Sequence, residues 1–241
     1  GMTAPGLNVL AARPSVGKSA LARRIIRHAA ERGHTVFWYS IDQSIGQVYE
    51  LEIAHRGRMD TTRLRGMGKD ELVKRVRDVR ENVWRDRVIL IDQPLELAQL
   101  LSYARASAAQ LVVVDYLQNI NTGPNDTEYE SVTKASRALK GLALQMHVPV
   151  LALAQLNRAA ENGKTPSLKD LRGSGQIEQD ADQVWILERD TTGTSSDPSK
   201  AELTVLKNKT GPTTKINLTW VGKFAAYEDY AYDRPSNVRS N

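Results

Sequence analysis

The sequence predicts an α/β fold in which a mostly parallel central sheet is flanked by helices and C-terminal antiparallel hairpins extend one edge. Two observations predict it. Short runs of β-branched residues alternate with longer amphipathic runs as far as Glu188, which is the pattern of parallel strands joined by helices. After Glu188 the runs "AELTVLKNK", "TTKINLTWV" and "KFAAYEDY" are separated by Gly211-Pro212 and Gly222-Lys223, as expected for antiparallel hairpins.

Each strand of the parallel part is predicted from a short, apolar run rich in β-branched or aromatic residues. In chain order these runs are Asn8 to Ala11, Thr35 to Ile41, Arg87 to Ile91, Gln110 to Tyr116, Val148 to Ala154 and Gln183 to Leu187. Helices are expected in the intervening segments, and the clearest have apolar residues three and four apart. They are Ser19 to Arg32, Glu96 to Ala108 and Glu128 to His147.

Length and composition bound the class of protein. The 241 residues with 41% hydrophobic content favour a single domain over residues 1–241. No run approaches the roughly 20 apolar residues of a membrane span, and no signal-peptide pattern opens the chain, so we expect a cytoplasmic protein that does not act at a membrane. The sequence has no cysteine, which excludes disulfides and thiolate metal sites.

Positive charge is concentrated between His55 and Arg87, where Lys and Arg interleave with apolar residues at helical spacing. A solvated helix face or a subunit contact is one interpretation, and a nucleic-acid-binding surface is the other. The apolar residues are Leu64, Leu72, Val73, Val76, Val79 and Val83.

A candidate phosphate-binding loop lies in "VLAARPSVGKS", where a strand-like run passes through a loop into a helix. Gly17-Lys18-Ser19 fits the second half of G-x-x-x-x-G-K-[ST], although Ala12 stands where the first Gly is expected. In such a loop backbone N–H groups surround phosphate, Lys18 reaches the terminal phosphates and the Ser19 hydroxyl binds Mg²⁺. An ordinary turn is the alternative. The candidate nucleotide-binding residues are Arg13, Pro14, Ser15, Val16, Gly17, Lys18, Ser19 and Ala20.

A second candidate site supports the first. The run "LVVVDYLQ" is a buried strand ending in Asp115, and a carboxylate there would hold the Mg²⁺ shell, partly through water. The alternative is that Asp115 caps a turn or helix. The phosphate loop and the carboxylate, separated by strand-helix units, together predict Mg-nucleotide binding on a RecA-like P-loop NTPase fold.

Several longer motifs carry a family resemblance. "VPVLALAQLNR" and "DLRGSGQIEQDADQVWIL", together with "AARPSVGKS", "LVVVDYLQ", "SRALKGLA" and "KNKTGP", resemble the C-terminal motor domain of DnaB-type replicative DNA helicases, in the same order over nearly the whole chain. Some members of that family also carry Ala-Ala-Arg-Pro in the loop, which accounts for Ala12. The resemblance implies an ATP- and Mg²⁺-dependent motor that acts on single-stranded DNA as a homohexamer in replication.

The resemblance also implies catalytic roles. Gln155 matches the sensor of the γ-phosphate, and the alternative is a Gln that only caps the end of its strand. Asp42 stands where the family has the Glu that activates the attacking water, and because Asp is one methylene shorter, hydrolysis could be slow unless the backbone advances. The alternative is that Asp42 is a cap after the apolar strand. Lys207 and Lys209 match a Lys and an Arg that enter the neighbouring subunit's site. They occupy alternate positions of a predicted strand and should face the same way, while Lys in the second position lacks the fork of Arg.

DNA-binding residues are implied by the same resemblance. Arg172-Gly173-Ser174-Gly175 resembles the pore loop that grips the single-strand backbone, with Gly173 where the family usually has Glu. Small residues permit close approach of the backbone, and Arg172 can meet phosphate. Arg158, Lys164 and Lys169 precede this loop and could add positive charge.

Two other functions remain open from the sequence. Asp42 and Lys209 would also suit a nucleotide-gated DNA-binding or loading module with little turnover, and a RecA- or RadA-like recombinase shares the core fold. We further expect that the N-terminal primase-interacting domain and linker of the family are absent. The isolated chain is therefore expected to be monomeric or weakly associated, with hexamers in a longer context.

Overall fold

The computed structural model describes residues 1–156, 167–171, 174–193 and 197–230. Within them the chain forms one nine-stranded sheet with helices on both faces. The strands are β1 Gly6–Ala12, β2 Val36–Ser40, β3 Val88–Ile91, β4 Leu111–Asp115, β5 Pro149–Gln155, β6 Gln183–Arg189, β7 Lys200–Asn208, β8 Thr214–Val221 and β9 Ala226–Asp229.

The strand order across the sheet is β3-β2-β4-β5-β1-β6-β7-β8-β9. The pairings from β3 to β6 are parallel, and those from β6 to β9 are antiparallel. The predicted α/β architecture with C-terminal antiparallel hairpins is therefore confirmed. The six parallel strands predicted from the sequence are within two residues of their observed ends, because each is a buried apolar run bounded by polar or turn residues.

The helices are α1 Lys18–Glu31, α2 Ile45–Arg56, α3 Thr61–Arg65, α4 Lys69–Asp78, α5 Leu97–Ala106, α6 Glu128–Met146 and α7 Ser174–Asp180. The three helices predicted individually correspond to α1, α5 and α6. Helix α6 begins at a capping box of Thr127 with Glu130 and ends at His147 in a left-handed conformation, which closes the last turn.

Two apolar clusters pack on the two faces of the sheet, because successive strand residues point to opposite sides. Leu10 and Trp38 pack with α1 and α2 on the first face. Val9 and Phe37 pack with α5, α6 and α7 on the second face. Both faces of the central strands are thus covered, and polar chemistry is left to the strand ends.

The basic stretch from His55 to Arg87 runs from the end of α2 through α3 and α4 to the start of β3. Many of its cations are paired on the surface: Arg56 lies 2.6 Å from Asp78, Arg75 2.9 Å from Glu71 and Arg80 3.1 Å from Asp86. Leu64, Val79 and Val83 are buried, whereas Val73 is 49% exposed although its spacing grouped it with them. Within the described ranges, no helix is long and apolar enough to cross a bilayer.

Candidate nucleotide-binding site

The predicted site lies at the carboxyl edge of the parallel strands. The loop from Arg13 to Gly17 connects β1 to α1. Strand β5, which neighbours β1, ends in Gln155, and strand β4, on the other side of β5, ends in Asp115. Register brings these ends to the same edge, because Ala12 pairs with Gln155, and Val114, next to Asp115, pairs with Ala152 of β5. Ligands of open α/β sheets bind at this edge, where loops leave adjacent strands.

The loop has the backbone conformation of a phosphate cradle. Ser15 and Gly17 both have positive φ, of 63° and 110°, and Gly17 is the N-cap of α1 without a side-chain cap. The first N–H groups of the helix therefore have no carbonyl partner within it and suit an anion. Ala12 is the last residue of β1 and pairs with strands on both sides, so an ordinary L-residue fits there in place of Gly.

The side chains of the loop divide into two sets. Val16 and Ala20 are buried in the core, so they offer only backbone groups to a ligand. Pro14 and Ser15 are exposed, and Arg13, Lys18 and Ser19 are half-buried. The Lys18 ammonium lies 5.5 Å from the centroid of the Tyr116 ring, which holds this cation at the mouth of the loop.

Asp115 is fully buried, and neither carboxylate oxygen accepts a hydrogen bond of normal geometry from the described residues. Burial raises the pKa of Asp115 to about 6, while the nearby Ser19 hydroxyl and Lys18 charge oppose the rise and Asp42 adds to it. An unpaired buried carboxylate calls for a partner, and a cation held with Ser19 would supply it. Asp115 does not cap the following turn, Leu117–Asn119, which begins after Tyr116.

The donor set fits Mg²⁺ held jointly with phosphate. Among residues 1–156, 167–171, 174–193 and 197–230, no three His, Cys, Asp or Glu side chains gather in a metal-binding group. One carboxylate and one hydroxyl at the phosphate loop are nevertheless the protein ligands that Mg²⁺ uses when the nucleotide and water complete its shell.

Asp42 lies in the loop that follows β2, and its side chain is exposed. Its charge is close enough to raise the pKa of Asp115, so the two carboxylates lie near each other. The helix that follows is capped by Ser44 in a capping box with Gln47. Asp42 is therefore not used as a helix cap.

Gln155 is half-buried at the end of β5, and its backbone is held by Gln118, a residue that the sequence did not single out. The Gln155 N–H donates to Gln118 Oε1 at 3.3 Å, and Gln118 Nε2 donates to the Gln155 carbonyl at 3.4 Å. Gln118 lies three residues after Asp115, so it links the ends of β4 and β5. Its position at the end of the run "LVVVDYLQ", directly after the strand that carries Asp115, could have identified it from the sequence.

Lys207 and Lys209 lie away from the chain's own phosphate loop. Lys207 pairs with Val184 of β6, whereas Ala12, the last residue of β1, pairs with Leu187 of β6. Val184 precedes Leu187 by three residues, so Lys207 lies about 10 Å back along the sheet from the end of β1. The Lys207 ammonium binds the Glu178 carbonyl of α7, on the opposite sheet face from α1. Lys209 lies 3.3 Å from Asp182.

Lys207 and Lys209 keep the alternate spacing that the sequence predicted, since Lys207 pairs with Val184 and the Lys209 N–H donates to the Asp182 carbonyl at 2.9 Å. Strand β7 ends at Asn208, and its register with β6 shifts between Val184 and Trp185. The bulge leaves Leu206 as the extra residue, which redirects the side chains that follow. Both lysines still face the segment from Glu178 to Asp182.

The predicted DNA-binding residues fall largely outside the described ranges, namely Arg158, Arg172 and Gly173, together with Lys164. Lys169 lies in a short 3-10 helix, Leu168–Asp170, and its side chain is outside them as well. Gly175 is an exposed position of α7 with open space around its α-carbon. Leu156 pairs with Leu171 in an isolated antiparallel bridge, so the predicted DNA-binding stretch leaves and returns directly beside Gln155.

Residues from the C-terminal strands also touch the phosphate loop, and the sequence did not predict them. Arg189 of β6, Trp220 of β8 and Tyr227 of β9 contact Ser15, Val16 or Gly17. Local sequence carried no signal for these contacts, because they depend on the long-range packing of the antiparallel strands beside β1.

A phosphate-type loop between β1 and α1, a buried carboxylate at the end of a neighbouring strand and a sheet extended by antiparallel strands define the RecA-like class of P-loop NTPase folds. The chain belongs to the family of DnaB-like helicase C terminal domains, whose family model matches residues 1–229.

Individual relatives agree with this assignment. The chain is 33% identical over 249 residues to the replicative DNA helicase DnaB of Pasteurella multocida, which covers 97% of this chain and 53% of that protein. It thus spans about half the length of the curated relatives it matches. A solved DnaB-like replicative helicase, described with its interactions with primase, superposes with a TM-score of 0.84 at 25% identity, over 94% of this chain and 58% of that one. A KaiC-like protein from Pyrococcus horikoshii shares the fold, with a TM-score of 0.64 at 14% identity, over 96% and 92%.

Proposed function

We propose that this chain is the motor domain of a replicative DNA helicase, which hydrolyses ATP at subunit interfaces of a homohexamer and moves along single-stranded DNA. The observation that carries the proposal is the unpaired, buried Asp115 carboxylate beside Ser19 and Lys18 at the phosphate-type loop. A structural carboxylate would have a hydrogen-bonding partner. Membership of the family of DnaB-like helicase C terminal domains supports the proposal.

In this proposal the residues from Arg13 to Ala20 form the triphosphate site, with the backbone N–H groups from Gly17 onward at the phosphates and Lys18 at the terminal phosphates. Ser19 and Asp115 would hold Mg²⁺, partly through water. Mg²⁺ supplies charge neutralisation of the phosphate oxygens when it is bound with ATP.

Asp42 activates the attacking water in this proposal. It is exposed next to the site and is not engaged as a helix cap, so its carboxylate is available to accept a proton. General bases contribute about 10² to 10⁴ in rate. The shorter Asp side chain also supports a second candidate, a nucleotide-gated DNA-binding module with little turnover.

Lys207 and Lys209 act on the neighbouring subunit's nucleotide in this proposal. Their position on the opposite sheet face, with Lys207 about 10 Å back from the end of β1 and Lys209 further back, supports action in trans because neither ammonium is directed at its own loop. A residue that faces the next subunit's ligand requires a closed ring to serve every site. The ring would bring each lysine pair to a nucleotide.

Gln155 would report the γ-phosphate to the DNA-binding stretch. It ends β5 at the site, and the following Leu156 donates its N–H to the Ala12 carbonyl at 3.1 Å and pairs with Leu171. Arg158, Lys169, Arg172, Gly173 and Gly175 lie on or beside the segment that this bridge closes. A shift of the Gln155 side chain therefore has a short path to the proposed DNA contacts.

The test is ATP hydrolysis measured with and without single-stranded DNA, over a range of protein concentrations. We expect DNA to stimulate hydrolysis, and expect Lys18→Ala and Lys207→Ala each to abolish stimulation. Mixing the two inactive variants should restore part of it, since some interfaces in mixed rings carry both intact residues. No restoration in rings shown to be mixed would contradict action in trans.

Asp42→Ala separates the motor from the gated module. A motor should lose about 10²-fold or more in kcat with little change in KM, whereas slow hydrolysis that is unaffected by the substitution would favour the module. Asp92→Asn is the matched control, because Asp92 is a nearby acidic residue whose Oδ2 accepts from the Ile45 N–H and which has no proposed catalytic role.

A further inference from the structure

The carbonyl groups of the phosphate loop are bound by side chains from the C-terminal strands. Tyr227 of β9 donates its hydroxyl hydrogen to the Val16 carbonyl. Arg189, the last residue of β6, donates from Nη2 to the Ser15 carbonyl at 2.9 Å and from Nε to the Val16 carbonyl at 3.4 Å. Two successive carbonyls of the loop are thus engaged from the side of the sheet.

Aromatic rings hold the donors and the loop together. The Arg189 guanidinium lies 4.5 Å from the centroid of the Trp220 ring, and the Trp220 and Tyr227 ring centroids are 4.9 Å apart. A Cβ at Gly17 would lie 3.1 Å from both Trp220 Cζ3 and Tyr227 Cε2. The backbone therefore rests on these rings. We call Arg189, Trp220 and Tyr227 the loop-supporting cluster.

The same C-terminal strands hold the helix that follows the loop. Arg23 of α1 donates to the Ala225 carbonyl at 2.6 Å, and Arg24 lies 2.7 Å from Asp229. The turn before β9 and β9 itself therefore hold the first half of α1 as well as the loop, so the loop and its helix share one support.

The direction of these hydrogen bonds matters for anion binding. In a loop whose N–H groups converge on an anion, the carbonyl groups point the other way. Val16 is buried, so its outward carbonyl requires a protein donor, since an unpaired buried acceptor costs free energy. Donors on the carbonyl side therefore favour the orientation in which the N–H groups face the ligand, before any ligand binds.

We propose that the loop-supporting cluster positions the phosphate loop for the triphosphate, and that the Tyr227 hydroxyl is its most specific member. The inference rests on the proposed function, since it takes the ligand to be a Mg-bound nucleoside triphosphate. These are positioning residues: they act through the loop carbonyls. Prior ordering of the loop lowers the cost of binding.

Tyr227→Phe tests the proposal, because it removes one hydroxyl and keeps the ring against Gly17. The probes are a fluorescent ATP analogue with Mg²⁺ and, in competition with it, Mg-bound tripolyphosphate, which has phosphates but no nucleoside. We expect the Kd of both to rise by about tenfold, the usual effect of losing one buried hydrogen bond. Arg189→Gln should raise the Kd of both ligands in the same manner.

Tyr39→Phe is the matched control. The Tyr39 hydroxyl is also buried and accepts a hydrogen bond, from the Leu95 N–H at 3.0 Å, but it lies on the second face of the sheet. The Tyr39→Phe substitution should lower the free energy of unfolding without changing the Kd of either ligand. A merely structural role for Tyr227 would give this same pattern, which would overturn the proposal.

The two ligands separate positioning of the loop from contact with the nucleoside. If Tyr227→Phe weakens the ATP analogue but leaves tripolyphosphate unchanged, the hydroxyl acts on the nucleoside and the proposal is wrong. If the wild-type chain binds neither ligand, the proposed function fails, and the inference falls with it. Wild-type binding of both ligands with no effect of either substitution would overturn the inference alone.

Discussion

Lys209 Nζ lies 3.3 Å from Asp182 Oδ1 in the same chain, and Lys140 binds the other oxygen of this carboxylate at 2.6 Å. Asp182 also accepts the Leu7 N–H at 2.8 Å. Burial opposes ionisation of Asp182, but the bonds from Lys140, Leu7 and Lys209 hold its pKa below the ordinary value. A carboxylate with three donors thus anchors Lys209 next to Lys207, where burial and the Lys209 charge lower the pKa of Lys207.

Asp182→Asn should therefore impair action on the neighbouring site while leaving the chain's own site intact. The amide can still accept from Leu7 but no longer offsets the charge of Lys209, so the two lysines lose their fixed arrangement. We expect kcat of DNA-stimulated hydrolysis to fall by roughly tenfold, with little change in nucleotide Kd. Glu202→Gln, which removes a surface partner of Lys215 at 2.7 Å, should change neither. An equal loss of nucleotide affinity in Asp182→Asn would contradict the prediction.

Asp115→Asn should change stability and activity in opposite directions. In the metal-free protein the buried carboxylate has no hydrogen-bond partner among the described residues, so removing its charge should raise the free energy of unfolding by about 1 to 3 kcal/mol at pH 7.5. Mg-dependent nucleotide hydrolysis should be lost. Urea unfolding without metal, together with a steady-state assay, measures both. A variant that is less stable than wild type would indicate a structural role for Asp115.

The sequence predicted the fold and the location of the candidate site for the same physical reason. Strands covered on both faces are almost continuously apolar, which marks β1, β4 and β5 without knowledge of their partners, and polar residues then appear mainly where those strands end. Asp115, Gln155 and the Arg13 to Gly17 loop could be placed in this way because each directly follows or ends such a run.

Features that depend on distant packing could not be predicted. Tyr227 reaches Val16 across 211 positions of sequence, and Arg189 reaches Ser15 across 174. The short runs around these residues predict strands but not which loop they touch. The bulge opposite Val184 was equally hidden, because a pairing irregularity depends on two strands and leaves no clear periodicity in either one.

The stability of the chain should decrease as the pH falls from about 6.5 to about 4, in part through His55. Burial, with the charges of Arg27 and Arg23, lowers the pKa of His55 from 6.5 to about 4, Glu228 opposes this and Arg58 adds to it. Arg27 lies 2.8 Å from Nδ1. The unfolded chain therefore binds a proton in this window while the folded one does not, so the full contribution is present above pH 6.5 and is lost on acidification.

His55→Gln should reduce this pH dependence, measured as the free energy of urea unfolding from pH 4 to 8. His34→Gln, which changes an exposed imidazole, is the control and should follow the wild-type profile. An unchanged slope between pH 4 and 6.5 in His55→Gln would show that the imidazole does not carry the effect.

Gly17→Ala should disable the site through the backbone, not through a lost side chain. Gly17 has φ of 110°, which L-residues rarely adopt, and an added Cβ would press on Trp220 and Tyr227 at 3.1 Å. The loop must then either leave its conformation or displace the rings, and in both cases the carbonyl bonds of Ser15 and Val16 weaken. We expect a loss of at least about 1 kcal/mol in unfolding free energy and loss of binding to Mg-ATP.

Gly141→Ala is the matched control, because Gly141 lies in α6 with open space around it, and Ala there should stabilise the helix by about 0.5 to 1 kcal/mol. Retained nucleotide affinity in a folded Gly17→Ala variant would show that the left-handed turn is dispensable for binding the triphosphate.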